Sequence, residues 1–297
     1  MAAAMRVLLA GGSGMIGRAV SAVLRERGHA PRPLVRRPAA DGEAAWDPGR
    51  GELAPEAVAW ADAVVSLNGA SLTKLPWTRA YRREILQSRV RATGLIARTI
   101  AATPGPKVWV SASAVGVYGD RPGEALTEDS PRGAGFLADV VEAWEAATAP
   151  AAAATRVVLA RTGVVLGAGA LAPLVRLARL GLGGRIGSGR QHWPWISLTD
   201  EARAIVHLVE ASALAGPVNL VAPAPATATD VTSAVTRALR RPHAVPAPAW
   251  ALRAALGDAA RDLLLADQLV VPARLAEDGF EFVQAGLDQA VNALVST

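Results

Sequence analysis

Met5-Arg-Val-Leu-Leu-Ala-Gly-Gly-Ser-Gly-Met-Ile-Gly17 decides the fold of this 297-residue chain. Val7 to Ala10 form a short apolar run, suited to a strand buried on both faces. Gly11, Gly14 and Gly17, with Gly12 inside the first interval, remove side chains where an anionic group such as a diphosphate must approach the backbone. The following segment carries Ile16, Val20, Val23 and Leu24 on one helical face, and the free amides at its start face the anion. A glycine turn is a weak sign in a chain with 28 glycines, but a strand before it and an amphipathic helix after it make a dinucleotide site of Gly11, Gly12, Ser13, Gly14, Met15, Ile16 and Gly17. The bland alternative is a turn that holds nothing.

Gly28 closes the first helix, and Pro31 to Val35 reads as a second strand ending in Arg36-Arg37-Pro38. In a dinucleotide fold this strand end meets the adenosine ribose, where an acidic residue binds a free 2′-hydroxyl and an arginine accommodates a 2′-phosphate. Arg36 and Arg37 lie about 20 residues beyond Gly17 with no acid before Asp41, so NADP(H) is favoured and NAD(H) is the second choice. Residues 43–61 read as a loop. Asp62 to Leu67 is the next strand, and Leu67, Asn68, Gly69 and Ala70 leave it where a cofactor lies against the sheet edge. A helix over 78–102 opens at Thr78, and 107–113 is a further strand, so strand and helix alternate and a parallel sheet follows.

Beyond this, 119–135 reads as a loop, 136–149 as a helix and Thr155 to Leu166 as one strand. An Ala/Leu helix over 168–182, a Gly/Arg-rich loop over 183–193, a helix over 199–213 opened by Asp200 as N-cap, and Pro-rich turns complete the chain. The expected architecture is α/β: a doubly wound parallel sheet of the Rossmann type over 5–166, with a smaller C-terminal α/β lobe over 167–297. Segments such as 199–222 are candidates to rejoin the core.

Composition narrows the function classes. Apolar residues make up 51% of the chain, which argues against disorder. No window holds about 18 uninterrupted apolar residues and no signal peptide is visible, so a soluble, cytoplasmic protein without a membrane partner is expected. There is no cysteine, and the four histidines show no ligand spacing; no metal is expected. The net charge of +5 comes from scattered basic residues with few aromatic platforms, which argues against nucleic acid. A small-molecule substrate remains.

The later motifs carry a family resemblance over nearly the whole chain. Val65-Ser-Leu-Asn-Gly-Ala70, Gln87-Ser-Arg-Val90, Ser111-Ala-Ser-Ala-Val-Gly-Val-Tyr-Gly-Asp120, Phe136-Leu-Ala-Asp139 with Trp144-Glu145, Arg161-Thr-Gly-Val-Val-Leu166 and the tail segments Pro272-Ala-Arg-Leu275 and Gly279-Phe-Glu-Phe282 are among them. Together they resemble the extended short-chain dehydrogenase/reductase superfamily, epimerase/dehydratase type. The resemblance is narrowest to the atypical YfcH-like subfamily with its own C-terminal domain. It implies an NADP-binding oxidoreductase or epimerase-like enzyme acting on a small polar or anionic substrate, in a superfamily that often forms homodimers through its long helices. It also implies that Thr162, Gly163 and Val164 lie near the nicotinamide carboxamide, and that the loop bearing Arg185, Arg190 and His192 closes over the substrate. Ser113 corresponds to the superfamily's active-site serine. Tyr118 is the nearest candidate acid, and Arg89 stands where many members have an asparagine facing the cleft. The resemblance also exposes a departure, shared by the atypical subfamily. The superfamily's Tyr-x-x-x-Lys pair, which moves a proton, would fall on Leu137 and Val141, and neither can do so. A non-catalytic dinucleotide-binding regulator or redox sensor is therefore the rival reading.

Overall fold

The computed structural model describes residues 3–167, 169, 171–210 and 213–295. Strand β1 (Arg6–Ala10) alternates Val7 and Leu9 toward one face with Leu8 and Ala10 toward the other, and all four are shut off from solvent. That burial on both faces is what parallel strands require. Helix α1 (Met15–Glu26) returns the chain to β2 (Ala30–Val35), which pairs with β1 in parallel register, Leu8 opposite Arg32.

Residues 43–61 are more ordered than a loop. β3 (Ala44–Asp47) and β4 (Glu52–Leu53) form an antiparallel hairpin, followed by the short helix α2 (Pro55–Ala59). Trp46 and Leu53 are buried under the sheet edge, and this burial overrides the turn-rich local sequence Asp47-Pro-Gly-Arg-Gly51. β5 (Ala63–Ser66), α3 (Arg79–Ala102) and β6 (Val108–Ala114) follow, with Thr78 capping α3 by accepting from the Tyr81 amide. After the two-residue β7 (Ala125–Leu126) come α4 (Phe136–Ala146) and β8 (Arg156–Thr162).

The single strand expected over 155–166 breaks at Gly163. β8 stays in the main sheet, while β9 (Val164–Leu166) turns away to pair with β10 (Trp195–Ser197). A Cβ on Gly163 would lie 2.3 Å from the carbonyl oxygen of Pro194, so only glycine permits the crossing. The helix expected over 168–182 is α5 (Ala172–Arg179), with positions 168 and 170 outside the described residues; that over 199–213 is α6 (Leu198–Glu210), with 211 and 212 outside them. β11 (Gly216–Leu220), α7 (Ala228–Ala238), α8 (Ala249–Leu256) and β12 (Leu269–Val270) complete the labelled elements.

The main sheet runs β11-β8-β6-β5-β1-β2-β3-β4, parallel except for the last pair. α1 and α6 cover one face through Val20, Leu24, Ile205 and Val209; α3 covers the other through Leu95, Ile96 and Ile100. The sheet is thus doubly wound. α5, α7 and the helix Leu287–Val295 pack around Trp193 and Trp195 as a second apolar cluster. Asp200 is not the N-cap expected: it is the third residue of α6, its amide donates to Ser197 Oγ at 3.0 Å, and its buried carboxylate accepts from the amides of Val283 and Gln284 at 2.9 Å each, tying the C-terminal segment to the core. Among the described residues no helix is long and apolar enough to cross a membrane.

Gly17 is packed against the turn that precedes it: a Cβ there would lie 2.2 Å from the Gly11 carbonyl oxygen and 2.7 Å from Gly12 Cα. Gly17→Ala should therefore cost about 1–3 kcal/mol or more. Thermal unfolding checks this against Gly286→Ala, where nothing lies within 4 Å and the midpoint should barely move.

Candidate functional site

Gly11 leaves β1 with φ of +83°, and a Cβ there would lie 2.9 Å from the carbonyl carbon of Leu67. The glycine turn therefore rests on the Leu67–Ala70 segment leaving β5. The two loops diverge between adjacent strands where the sheet order reverses, the crevice in which such sheets bind ligands. Gly14 is the N-cap of α1 and no side chain caps it, so the amides of Met15 and Ile16 are left for an incoming acceptor at the positive end of the helix. Gly12 and Ser13 complete the turn, held by Arg18 Nη1 donating to the Ser13 carbonyl. A glycine-lined cradle and an uncapped helix start fit a diphosphate.

The two arginines after β2 differ. Arg37 is exposed and turns to Glu43, each terminal nitrogen 2.7 Å from a carboxylate oxygen, and this pairing holds the Glu43 carboxyl below its usual range. Arg36 is exposed and has no carboxylate partner among the described residues.

Arg89 lies behind the Leu67–Ala70 loop. Its Nη1 donates to the carbonyls of Ala70 and Ile85 at 3.1 and 3.0 Å, its guanidinium carbon sits 5.1 Å from the centre of the Trp144 ring, and a Cβ on Gly69 would be 3.0 Å from it. Burial pushes its pKa down to about 10, which leaves it charged at neutral pH.

Ser113 and Arg161 are paired neighbours on β6 and β8 and project to the same side. Ser113 Oγ donates to Glu145 Oε1 at 2.5 Å. Glu145, from α4, takes Arg161 Nε and Nη2 in a two-point pair at 2.9 Å each. Arg161 Nη1 donates to the Tyr118 hydroxyl at 3.0 Å, and that hydroxyl donates to Asn219 Oδ1 at 2.7 Å. Burial works against the Arg161 charge, but the bonds to Glu145 outweigh it and raise its pKa.

This network corrects the reading of Tyr118. The ring is fully buried, burial raises its pKa, and its oxygen already donates once and accepts once, so it presents no proton to the cleft. Sequence reasoning did not select Glu145 and Arg161 as site residues. The available signal was an arginine inside an otherwise apolar strand, because arginine is rarely buried unpaired.

A cavity of about 260 Å³ opens at the C-terminal edge of the sheet beside α4, with Gly116, Gly119, Gly135 and Leu137 on one side and Arg261, Asp262 and Gln268 on the other. Leu137 lines it; Val141 instead packs among Val115, Val117 and Tyr118. The loop residues Arg185, Arg190 and His192 do not converge on it. Arg185 lies along Gly189, Arg190 is exposed, and His192 bonds Asp267 Oδ1 through its backbone amide and Nδ1 at 2.8 Å each. At the end of β8, Thr162 Oγ1 donates to Glu201 Oε1 at 2.8 Å. Glu201 is wholly buried, Oε2 has no partner among the described residues, and burial pushes its carboxyl up to about 8.

Residues 7–222 match the NAD dependent epimerase/dehydratase family. The chain belongs to that family. Residues 247–294 match a domain of unknown function, DUF1731. An epimerase family protein of Mycobacterium leprae is 42% identical over 290 residues, covering 96% of this chain and 94% of that protein. The crystal structure of the human epimerase family protein SDR39U1 with NADPH superposes with a TM-score of 0.90 at 35% identity, covering 98% and 99% of the two chains. A nucleoside-diphosphate sugar epimerase from Corynebacterium glutamicum has a TM-score of 0.82 at 32% identity, over 99% of this chain and 58% of its own.

Two side chains here have measurable consequences. Glu201 titrates near 4.5 when unfolded and near 8 when folded, so between those values the folded chain keeps a proton that the unfolded chain has lost, and stability falls as pH rises. Glu201→Gln should melt above the parent protein at pH 8 and level with it near pH 4.5. Tyr118→Phe, which strips a partner from both Asn219 and Arg161, should lose about 1–3 kcal/mol in urea unfolding.

Proposed function

We propose that this chain is an NADP(H)-binding oxidoreductase or epimerase-like enzyme acting on a small polar molecule. The observation that carries this reading is the uncapped, glycine-rich turn Gly11–Gly17 together with Arg36, an arginine at the end of β2 without an acidic partner among the described residues. The turn suits the diphosphate, and Arg36 suits a 2′-phosphate; Arg37 steadies the loop through Glu43. The human relative SDR39U1 was crystallised with NADPH, and more distant relatives of the same fold with NAD, which supports NADPH first and NADH second. Leu67 to Ala70, braced by Arg89, and Thr162 to Val164 would flank the cofactor. When bound, the nicotinamide supplies hydride transfer.

The chain's own contribution is orientation. Because the Ser113 hydroxyl donates its hydrogen bond to Glu145, its lone pairs are left to accept from a substrate hydroxyl, and Arg161 holds the Glu145 side chain in place through two hydrogen bonds. A non-catalytic regulatory reading is favoured by Val141, which lies in an apolar cluster where the family places lysine.

Calorimetric titration should show tighter binding of NADPH than NADH, and Arg36→Ala should weaken NADPH about tenfold while leaving NADH unchanged. Equal affinities in the parent would remove the cofactor assignment. Oxidation of bound NADPH by a panel of carbonyl compounds, lowered in Ser113→Ala, supports the enzyme; tight NADPH binding with no turnover supports the regulator.

A further inference from the structure

The DUF1731 region brings one incompletely bonded carboxylate to the cavity beside α4. Asp262 lies in the single π-helical turn Arg261–Leu265, and its side chain is 9% exposed. Oδ1 accepts from Arg261 Nε at 3.0 Å, whereas Oδ2 is shut off from solvent and has no partner among the described residues. The carboxylate faces Gly135, whose Cβ, if present, would lie 3.7 Å from Oδ1, and Asp262 is among the residues that line the cavity. Leaving a buried acceptor unbonded costs about 1–3 kcal/mol, more if it is charged, so the position calls for a hydrogen-bond donor.

The rest of the wall says which donor. Helix α4 begins at Gly135 with no side-chain cap, and Gly135, Leu137 and Ala138 of its first turn line the same cavity; first-turn amides lack intrahelical acceptors. A hydroxyl group satisfies both sides, because it donates to a carboxylate and accepts from an amide. A carboxylate or phosphate would meet Asp262 and Asp120 as like charges. The one cation on the wall is engaged: Arg261 bonds Asp262 through Nε, and its Nη2 lies 3.5 Å from Asp258. Gln268 spends its amide nitrogen on the carbonyls of Gly119 and Val115. At about 260 Å³ the cavity falls below the usual range for drug-sized ligands, roughly 300–1,000 Å³.

We infer that Asp262 is a ligand-binding residue, and that the cavity takes a small, uncharged, hydroxyl-bearing molecule with one hydroxyl held between the Asp262 carboxylate and the first turn of α4. The inference rests on the small-polar-substrate reading and narrows it: the molecule this cavity takes is neutral, and the C-terminal region supplies a group that recognises it. This departs from an anion held by Arg185 and Arg190, neither of which lines the cavity.

The test uses full-length protein, with and without NADPH, and two matched probes: glucose and its carboxylate analogue glucuronate, followed by saturation-transfer NMR and calorimetry. Glucose should bind, with glucuronate at least about tenfold weaker. Asp262→Asn should weaken glucose about tenfold and abolish the discrimination against glucuronate. Leu137→Phe, which narrows the cavity from the other wall and leaves the carboxylate untouched, should abolish binding of both. Glucuronate binding as tightly as glucose, neither probe binding the parent protein, or Asp262→Asn leaving both affinities unchanged would each overturn the inference. Cofactor affinity is titrated separately. Loss of the NADPH preference with the glucose discrimination intact would remove the functional reading and leave the cavity assignment standing.

Discussion

The contact on which the site depends is the one between Gly17 and the carbonyl of Gly11. With no Cβ, the first turn of α1 can sit directly on the turn that leaves β1. That approach fixes where the uncapped amides of the helix point, and it lets α1 lie against both the sheet and α6. Gly11 itself rests on the Leu67 backbone, so the two loops that flank the crevice are set by backbone sterics and not by side-chain preference. The groove is therefore built before any ligand arrives.

On the other side of the crevice, buried charge does the positioning. Ser113, Glu145, Arg161, Tyr118, Asn219 and Glu128 are joined in one chain of hydrogen bonds, Glu128 accepting from the Asn219 amide at 3.0 Å. The chain crosses β6, α4, β8 and β11, so it cross-links the elements that must stay aligned at the edge of the sheet. Such networks are expensive when half-formed and rigid when complete. Its consequence for chemistry is that the tyrosine belongs to the scaffold, while the serine is oriented by a carboxylate that an arginine holds fixed. The C-terminal region is bound to this scaffold by Asp200 and carries Asp262 to the cavity.

How much was legible follows from the range of the forces. The strand before the glycines, the helix after them and the alternation through residue 113 are local patterns, and the structure bears them out. The hairpin at 44–53 was not legible, because Trp46 and Leu53 are ordered by burial against the sheet edge and not by local propensity. The break at Gly163 was equally hidden; it depends on the approach of Pro194, thirty-one residues away in sequence. Tyr118 was legible as an aromatic beside the active-site serine, but its partners Arg161 and Asn219 come from other strands, and only they decide that its hydroxyl is committed.

By itself, the sequence determined the doubly wound sheet, the glycine turn and the arginines at the end of β2. Each of these rests on residues within a few positions of one another, where backbone geometry and periodicity act directly. Only the tertiary structure decided that Arg37 is engaged by a carboxylate while Arg36 meets none among the described residues, that Ser113 answers to Glu145, and that Asp262 lines a cavity with one oxygen unpartnered among the described residues. The physical reason is that hydrogen-bond satisfaction belongs to the partners a group meets after folding. Asp262 and Gly135 lie more than a hundred residues apart in the chain, and no local pattern records that they meet.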